Sequence, residues 1–284
     1  MSQPISQDRG NAILKIFQKR KAAIGVVHCP PLPGSPRYDG TPMAAVYDRA
    51  LRDADAYVSG GIDGLIIENH GDVPFLKPDQ IGHETTTAMA VAADRVRTAF
   101  GVPVGINVLA NAAIAAIAVA KACGAAFVRV NQWANAYVAN EGLIEGDAAR
   151  VLRFRAALRA EGVMIFADAH VKHGAHAIVA DRPVVELTRD LEFFDADAVI
   201  ATGQRTGDAP DANELEQIVG ATRLPVLVGS GITMENVAGV LQHADGVIIG
   251  SSLKAGGVWW EVVERQRVER FMRRFAELRG EVAV

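Results

Sequence analysis

Short apolar runs, each closed by a polar residue or a glycine, alternate along the chain with stretches of helical period. The runs lie at residues 23–29, 64–69, 102–109, 126–131, 163–170 and 197–203, and the units 224–233 and 245–252 close the series. A short continuous apolar run is the pattern of a strand buried on both faces, as in a parallel sheet. Between the runs, residues 43–59 carry apolar positions at Val46, Ala50, Ala54 and Val58, the spacing of a helix face. Further helices are predicted over 85–100, 110–123, 147–161, 183–193 (with Pro183 opening the first turn), after Asp211 as a cap, and over 258–278. Eight strand–helix pairs at intervals of about 20 to 40 residues predict a single (β/α)8 barrel, an α/β fold with a parallel eight-stranded core. One domain spans residues 1–284, and a short amphipathic helix at 11–21 is placed to plug the bottom of the barrel. An open doubly wound sheet is the runner-up. It would put a glycine-rich turn after the first strand, where this chain has Pro30, Pro31, Pro33 and Pro36.

Composition removes several classes of function. Of 284 residues half are hydrophobic, enough for a large core, and the formal net charge of -4 gives no sign of nucleic-acid binding. Cys29 and Cys123 are the only cysteines, so neither a disulfide framework nor a cysteine zinc site is built, and a reducing compartment fits. Residues 1–10 are polar and lack the apolar core of a signal peptide. The richest apolar stretch, 110–122, is too short for a membrane span. The expectation is a cytoplasmic protein.

Candidate chemistry sits at the strand ends. The last two units end in bare turns, Gly229-Ser230-Gly231 and Gly250-Ser251-Ser252, each ahead of a helix. Exposed N–H groups there form an anion pocket, and two such turns on the last strands match the phosphate site of this barrel. The other reading of these glycines is a tight strand-to-helix turn. His28, Glu68 with Asn69, Asn107, Arg129 with Asn131, Asp168 with His170, and Thr202 end the remaining strands. Residues two apart in a strand share a face. Arg129 and Asn131 are therefore expected to point together into the barrel mouth, as are Asp168 and His170. Burying so many polar groups is costly unless they pair or meet a ligand.

This predicts a polar-ligand site with Asp168, His170 and Glu68 as catalytic candidates. His28, Asn69, Asn107, Arg129, Asn131 and Thr202 are the substrate-binding candidates. No cofactor is assigned; a divalent metal on Asp168, His170 and Glu68 is the alternative, since all three are metal-ligand types. Lys172 and Lys254 read as surface residues, and His173 and His176 as solvated loop residues. Arg265, Arg267, Arg270, Arg273 and Arg274 interleave with glutamates, which reads as an outer face laced by ion pairs. Trp259 and Trp260 begin the last predicted helix, one packing on the barrel and the other marking a contact between copies of the chain.

Several motifs carry a family resemblance. His28-Cys-Pro-Pro-Leu-Pro-Gly-Ser-Pro-Arg-Tyr38, Glu68-Asn-His-Gly-Asp-Val-Pro-Phe75, Glu141-Gly-Leu-Ile-Glu-Gly146, Ala167-Asp-Ala-His-Val-Lys-His173 and Val228-Gly-Ser-Gly-Ile-Thr233 resemble the signatures of the BtpA/SgcQ family. The resemblance runs from about Ile24 to the last helix. It implies a barrel of the ribulose-phosphate-binding type; a phosphorylated small-molecule ligand is what the two bare turns lead one to expect. One branch of the family is associated with photosystem I biogenesis in cyanobacteria and another with sugar-uptake gene clusters. Two classes of function follow. One is an enzyme on a phosphorylated sugar or related metabolite, by aldol, isomerase or C–N/C–O cleavage chemistry. The other is a non-catalytic assembly or stability factor.

Overall fold

The computed structural model describes residues 11–280 apart from Gln204 and Thr206; the polar lead at 1–10, read above as no signal peptide, lies outside the described residues. Eight parallel strands close on themselves. In chain order they are β1 (Ala22–His28), β2 (Gly64–Glu68), β3 (Val104–Asn107), β4 (Phe127–Val130), β7 (Met164–Asp168), β9 (Ala198–Thr202), β10 (Val226–Gly229) and β11 (Gly246–Ile249). The barrel closes where β1 pairs with β11, Ala22 opposite Gly246 through Gly25 opposite Ile249. Helices α2 (Met43–Ser59), α3 (His83–Phe100), α4 (Ala113–Cys123), α5 (Ala148–Ala157), α6 (Val184–Phe193), α7 (Ala212–Ala221), α8 (Val237–His243) and α9 (Arg265–Leu278) follow the strands in turn. This is the predicted TIM barrel. No described helix is long and apolar enough to cross a membrane.

Two apolar layers account for the unbroken runs. Ile24, Ile66, Phe127, Phe166, Ile200, Leu227 and Ile248 fill the inside, together with Ile13 and Phe17 of the N-terminal helix α1 (Ala12–Phe17). Phe17 meets the Phe127 ring edge-on at 5.9 Å, so α1 stoppers the barrel's N-terminal end. The other strand faces, with Val27, Ile67, Val128, Ala167 and Val199, pack on the alanine-rich helix faces. Gly105 is bare because a Cβ there would stand 2.2 Å from the Phe127 ring.

Two differences from the sequence reading bear on the mouth of the barrel. The stretch 132–146 is no simple loop: β5 (Ala136–Ala139) and β6 (Gly142–Glu145) form an antiparallel hairpin, and β8 (Gly174–Ala175) adds to β5. Gly142, at φ 98, opens β6 just past the turn at Asn140 and Glu141, where the chain takes a left-handed backbone that glycine adopts freely. The last helix starts at Arg265 and not at 258, because Gly256 and Gly257 take positive φ and Lys254 bridges to Val263. Trp259 and Trp260 therefore lie in the loop ahead of it. As read, α9 is laced by ion pairs, Arg265–Glu269 at 2.7 Å and Arg274–Glu277 at 3.1 Å.

Candidate functional site

The strands deliver their polar ends to the C-terminal mouth, and these fall into three groups. The first is centred on Asp168. Arg129 donates to it twice, Nε to Oδ1 at 3.0 Å and Nη2 to Oδ2 at 2.8 Å, and Asn131 adds Nδ2 to Oδ2 at 3.2 Å. Arg129, Asn131 and Asp168 are all buried. Burial would lower the Arg129 pKa, but the Asp168 charge and hydrogen bonds outweigh it and raise it.

The second group surrounds Glu68. His70 Nδ1 stands 2.9 Å from Oε1, and Asn107 Nδ2 donates to Oε2 at 2.6 Å. His28 Nε2 lies 3.7 Å from Oε1. Burial pushes the Glu68 carboxyl up. The hydrogen bond and charge of His70, then His28 and Arg129, win and hold it well below the usual carboxylate range. His28 is pushed down to about 3, by burial first and then by the Lys254 charge. Its Nδ1 is 3.0 Å from the Trp259 carbonyl and 3.0 Å from Lys254 Nζ, which also donates to that carbonyl at 2.8 Å.

Two expectations are corrected here. Lys254 is fully buried and no surface residue; burial moves its amine down to about 8. Lys172 is half-buried, and its amine too is pushed down to about 8, by burial and then by Arg129, with Glu68, Asp168 and Asp208 acting against the shift.

The third group braces loops. Asn69 accepts from Leu109 N at 2.8 Å and donates to Asp72 at 3.0 Å, and Thr202 Oγ1 donates to the His170 carbonyl at 3.0 Å. His170 does not share a partner with Asp168. The strand ends at Asp168, the two-residue alternation stops there, and His170 Nδ1 turns to Glu214 of α7 at 2.9 Å. Nor is His176 simply solvated: its Nε2 meets the Val171 carbonyl at 2.8 Å and its ring stacks on Tyr137. His173 is exposed, as read.

At the last two turns, the backbone N–H groups of Gly231, Gly250, Ser251 and Ser252 are given to no acceptor among the described residues. The hydroxyls of Ser230 and Ser252 are spent on the backbone, Ser230 Oγ accepting from Gly207 N at 3.0 Å and Ser252 Oγ donating to the Ile232 carbonyl at 2.6 Å. Gly231, at φ 65, also packs against the preceding loop: a Cβ would stand 2.1 Å from Ala209 N. Two buried acceptors in the mouth, Asn107 Oδ1 and Asn131 Oδ1, have no hydrogen-bond partner among the described residues. Beside His28 a cavity of about 440 Å³ opens between Pro30, Pro31, Arg37, Arg49 and Trp259.

Sequence reasoning missed His70, Lys172, Lys254 and Trp259. For His70 the only signal was its place in the Glu68-Asn-His70 run, because β2 ends at Glu68 and strand alternation does not extend to it. Lys254 carried none, because its burial depends on the irregular loop that folds Trp259 back over β1.

Comparison with known proteins places the chain. Among solved structures, (S)-3-O-geranylgeranylglyceryl phosphate synthase from Thermoplasma acidophilum in complex with sn-glycerol-1-phosphate superposes with a TM-score of 0.58 at 13% identity, covering 97% of this chain and 100% of that one. N-(5'-phosphoribosyl)anthranilate isomerase from Pyrococcus furiosus gives 0.55 at 14% identity over 90% and 99%. At these identities the likeness shows the barrel alone. By sequence, an uncharacterized protein of Archaeoglobus fulgidus is 45% identical over 89% of this chain and 98% of its own length. The photosystem I biogenesis protein BtpA of Synechocystis is 39% identical over 93% and 91%. The BtpA family model matches residues 19–277, and the chain belongs to the BtpA family.

Proposed function

We propose that this protein is an enzyme acting on a phosphorylated sugar or a related small metabolite, held by its phosphate at the turns after β10 and β11. The observation that carries this is the set of unengaged N–H groups at Gly231, Gly250, Ser251 and Ser252. Backbone donors left bare on two adjacent turns at the C-terminal face form a site that a phosphate satisfies at once. The hydroxyls of Ser230 and Ser252 position the turns, and Gly229 ends the ladder beneath them. The solved glyceryl phosphate synthase complex lends support, since it holds a phosphorylated ligand on the same fold.

The remainder of the ligand reaches across the mouth towards Glu68 and Asp168, and its hydroxyls supply the donors that Asn107 Oδ1 and Asn131 Oδ1 lack. Asp168 serves as a charge anchor more than as a free base, because Arg129 and Asn131 already occupy both of its oxygens. Proton transfer falls first to Lys172. Its amine makes no hydrogen bond among the described residues and titrates at about 8, near the operating range that acid–base catalysis needs. Glu68 polarises the centre, His28 and His70 flank it, and Asn69, Thr202 and His170 hold the loops around it.

A second reading rests on one relative's name. The Synechocystis protein is called a photosystem I biogenesis protein, which supports a non-catalytic assembly role. The two separate in one screen. Phosphorylated metabolites are tested for thermal stabilisation, and stabilising compounds are followed for turnover in wild type and Lys172→Gln. The enzyme reading expects a stabilising sugar phosphate that is converted, with turnover reduced by about two to four orders of magnitude in Lys172→Gln. No stabilisation by any phosphorylated compound sinks it and favours the assembly role.

A further inference from the structure

We infer that His28, Glu68 and His70 form a binding site for one divalent first-row transition-metal ion. One ligand atom from each of the three lies within 4.8 Å of the others. The sequence alternative grouped Asp168, His170 and Glu68. Only Glu68 survives in the set, because Asp168 is taken by Arg129 and His170 by Glu214.

Three further observations point to an ion and not merely to a hydrogen-bonded trio. His28 Nε2 is aimed at Glu68 Oε1 from 3.7 Å, too far for a hydrogen bond, yet well suited to two atoms sharing one ion. The side chain is only 9% exposed, and Nε2 finds no hydrogen-bond partner among the described residues. Secondly, the supporting contacts are those that ligands need. His28 Nδ1 stands 3.0 Å from the Trp259 carbonyl, and in the tautomer that donates to it Nε2 carries the lone pair a metal needs. Asn107 holds Glu68 Oε2 at 2.6 Å, so Oε1 is the oxygen turned to the imidazoles. Thirdly, Trp259 and Phe75 wall the His70 ring, at 4.3 and 5.8 Å between centroids, and keep the set in place.

Donor type decides the ion. Two imidazoles and one carboxylate suit zinc, cobalt, iron or manganese, whereas calcium and magnesium require more oxygen ligands. Three protein ligands also leave coordination positions open, as at catalytic rather than structural centres. Arg129 and Lys172, whose charges reach Glu68, oppose the ion, and so does Lys254 Nζ, 3.0 Å behind His28 Nδ1. Its charge repels a cation across the ring.

The site adds a cofactor to the barrel mouth and stands whether or not the ligand there is phosphorylated. The test therefore reads metal directly. Whole protein, stripped with a chelator, is titrated with Zn²⁺ against a chromophoric competitor, and Co²⁺ is used for its visible spectrum. The expected result is one Zn²⁺ per chain with Kd below about 10 μM, weakened at least about a hundredfold in His70→Ala. Co²⁺ should give d–d bands without a thiolate charge-transfer band. Lys254→Met, which removes one opposing charge at similar volume, should tighten binding. His70 lies at the rim of the core, so a melting curve of His70→Ala checks that the variant is folded. If it is not, the wild-type stoichiometry and the Lys254→Met shift still decide. No uptake at 100-fold excess over that Kd, unchanged affinity in folded His70→Ala, weaker binding in Lys254→Met, or a thiolate band from Cys29 would each overturn the site.

Discussion

Arg129 and Asp168 form a two-pronged ion pair inside the barrel, with Nη2 2.8 Å from Oδ2 and side-chain exposures of 6% and 0%. The two residues come from neighbouring strands, β4 and β7, and Asn131 adds the third bond to the same carboxylate. Removing one partner strands the other charge out of water. Asp168→Asn is therefore expected to lower stability by about 3–5 kcal/mol, whatever it does to catalysis. Denaturant unfolding at neutral pH measures this. A loss under about 1 kcal/mol would mean that water reaches Arg129 and that the pair is not dry.

Lys172 carries a separate pH prediction. Its folded amine titrates at about 8 against 10.5 for an ordinary lysine, so at pH 9 it is mostly neutral while other lysines remain charged. Carbon-13 NMR of reductively methylated protein should show a resonance titrating near 8 that disappears in Lys172→Gln. Lys254 is lowered to a similar value, so a Lys172→Gln, Lys254→Met pair assigns both signals. Acting as a base, Lys172 gives kcat/KM a rising limb as pH passes about 8. A falling limb in the same range would assign it as an acid instead.

Gly231 and Ser251 should respond differently. At Gly231 a side chain meets both a positive φ and the Ala209 backbone, so Gly231→Ala is expected to cost about 1–3 kcal/mol and to confuse any binding measurement. Ser251 is partly exposed, and its side chain makes no hydrogen bond among the described residues. Ser251→Asp puts a carboxylate at the mouth of the turn. Calorimetric titration with inorganic phosphate should show affinity falling more than about tenfold, with the melting temperature unchanged. Equal affinity in Ser251→Asp and wild type would remove the turns from the binding site.

The barrel was readable in the chain because its strands are apolar on both faces. Val26, Val27, Ile66 and Ile67 face opposite layers and are buried alike, so the run carries the strand signal without alternation. The hairpin at Ala136–Ala139 and Gly142–Glu145 was not readable, since only one of its faces packs and Tyr137 and Ile144 are its few buried apolar residues. Strand ends identified Glu68, Arg129 and Asp168 as mouth residues, but not their partners. Which groups pair is set by neighbouring strands in the closed order, as when β7 follows β4, and no local pattern records that order. His170 shows the limit from the other side, for alternation has failed two residues past the ladder.

The proposed function depends first on an anion at the turns after β10 and β11. A crystal structure grown at saturating phosphate tests it directly. The expected result is tetrahedral density within hydrogen-bond distance of the N–H groups of Gly231, Gly250, Ser251 and Ser252. Turns without that density, or N–H groups closed by the backbone of residues 207–209, would contradict it.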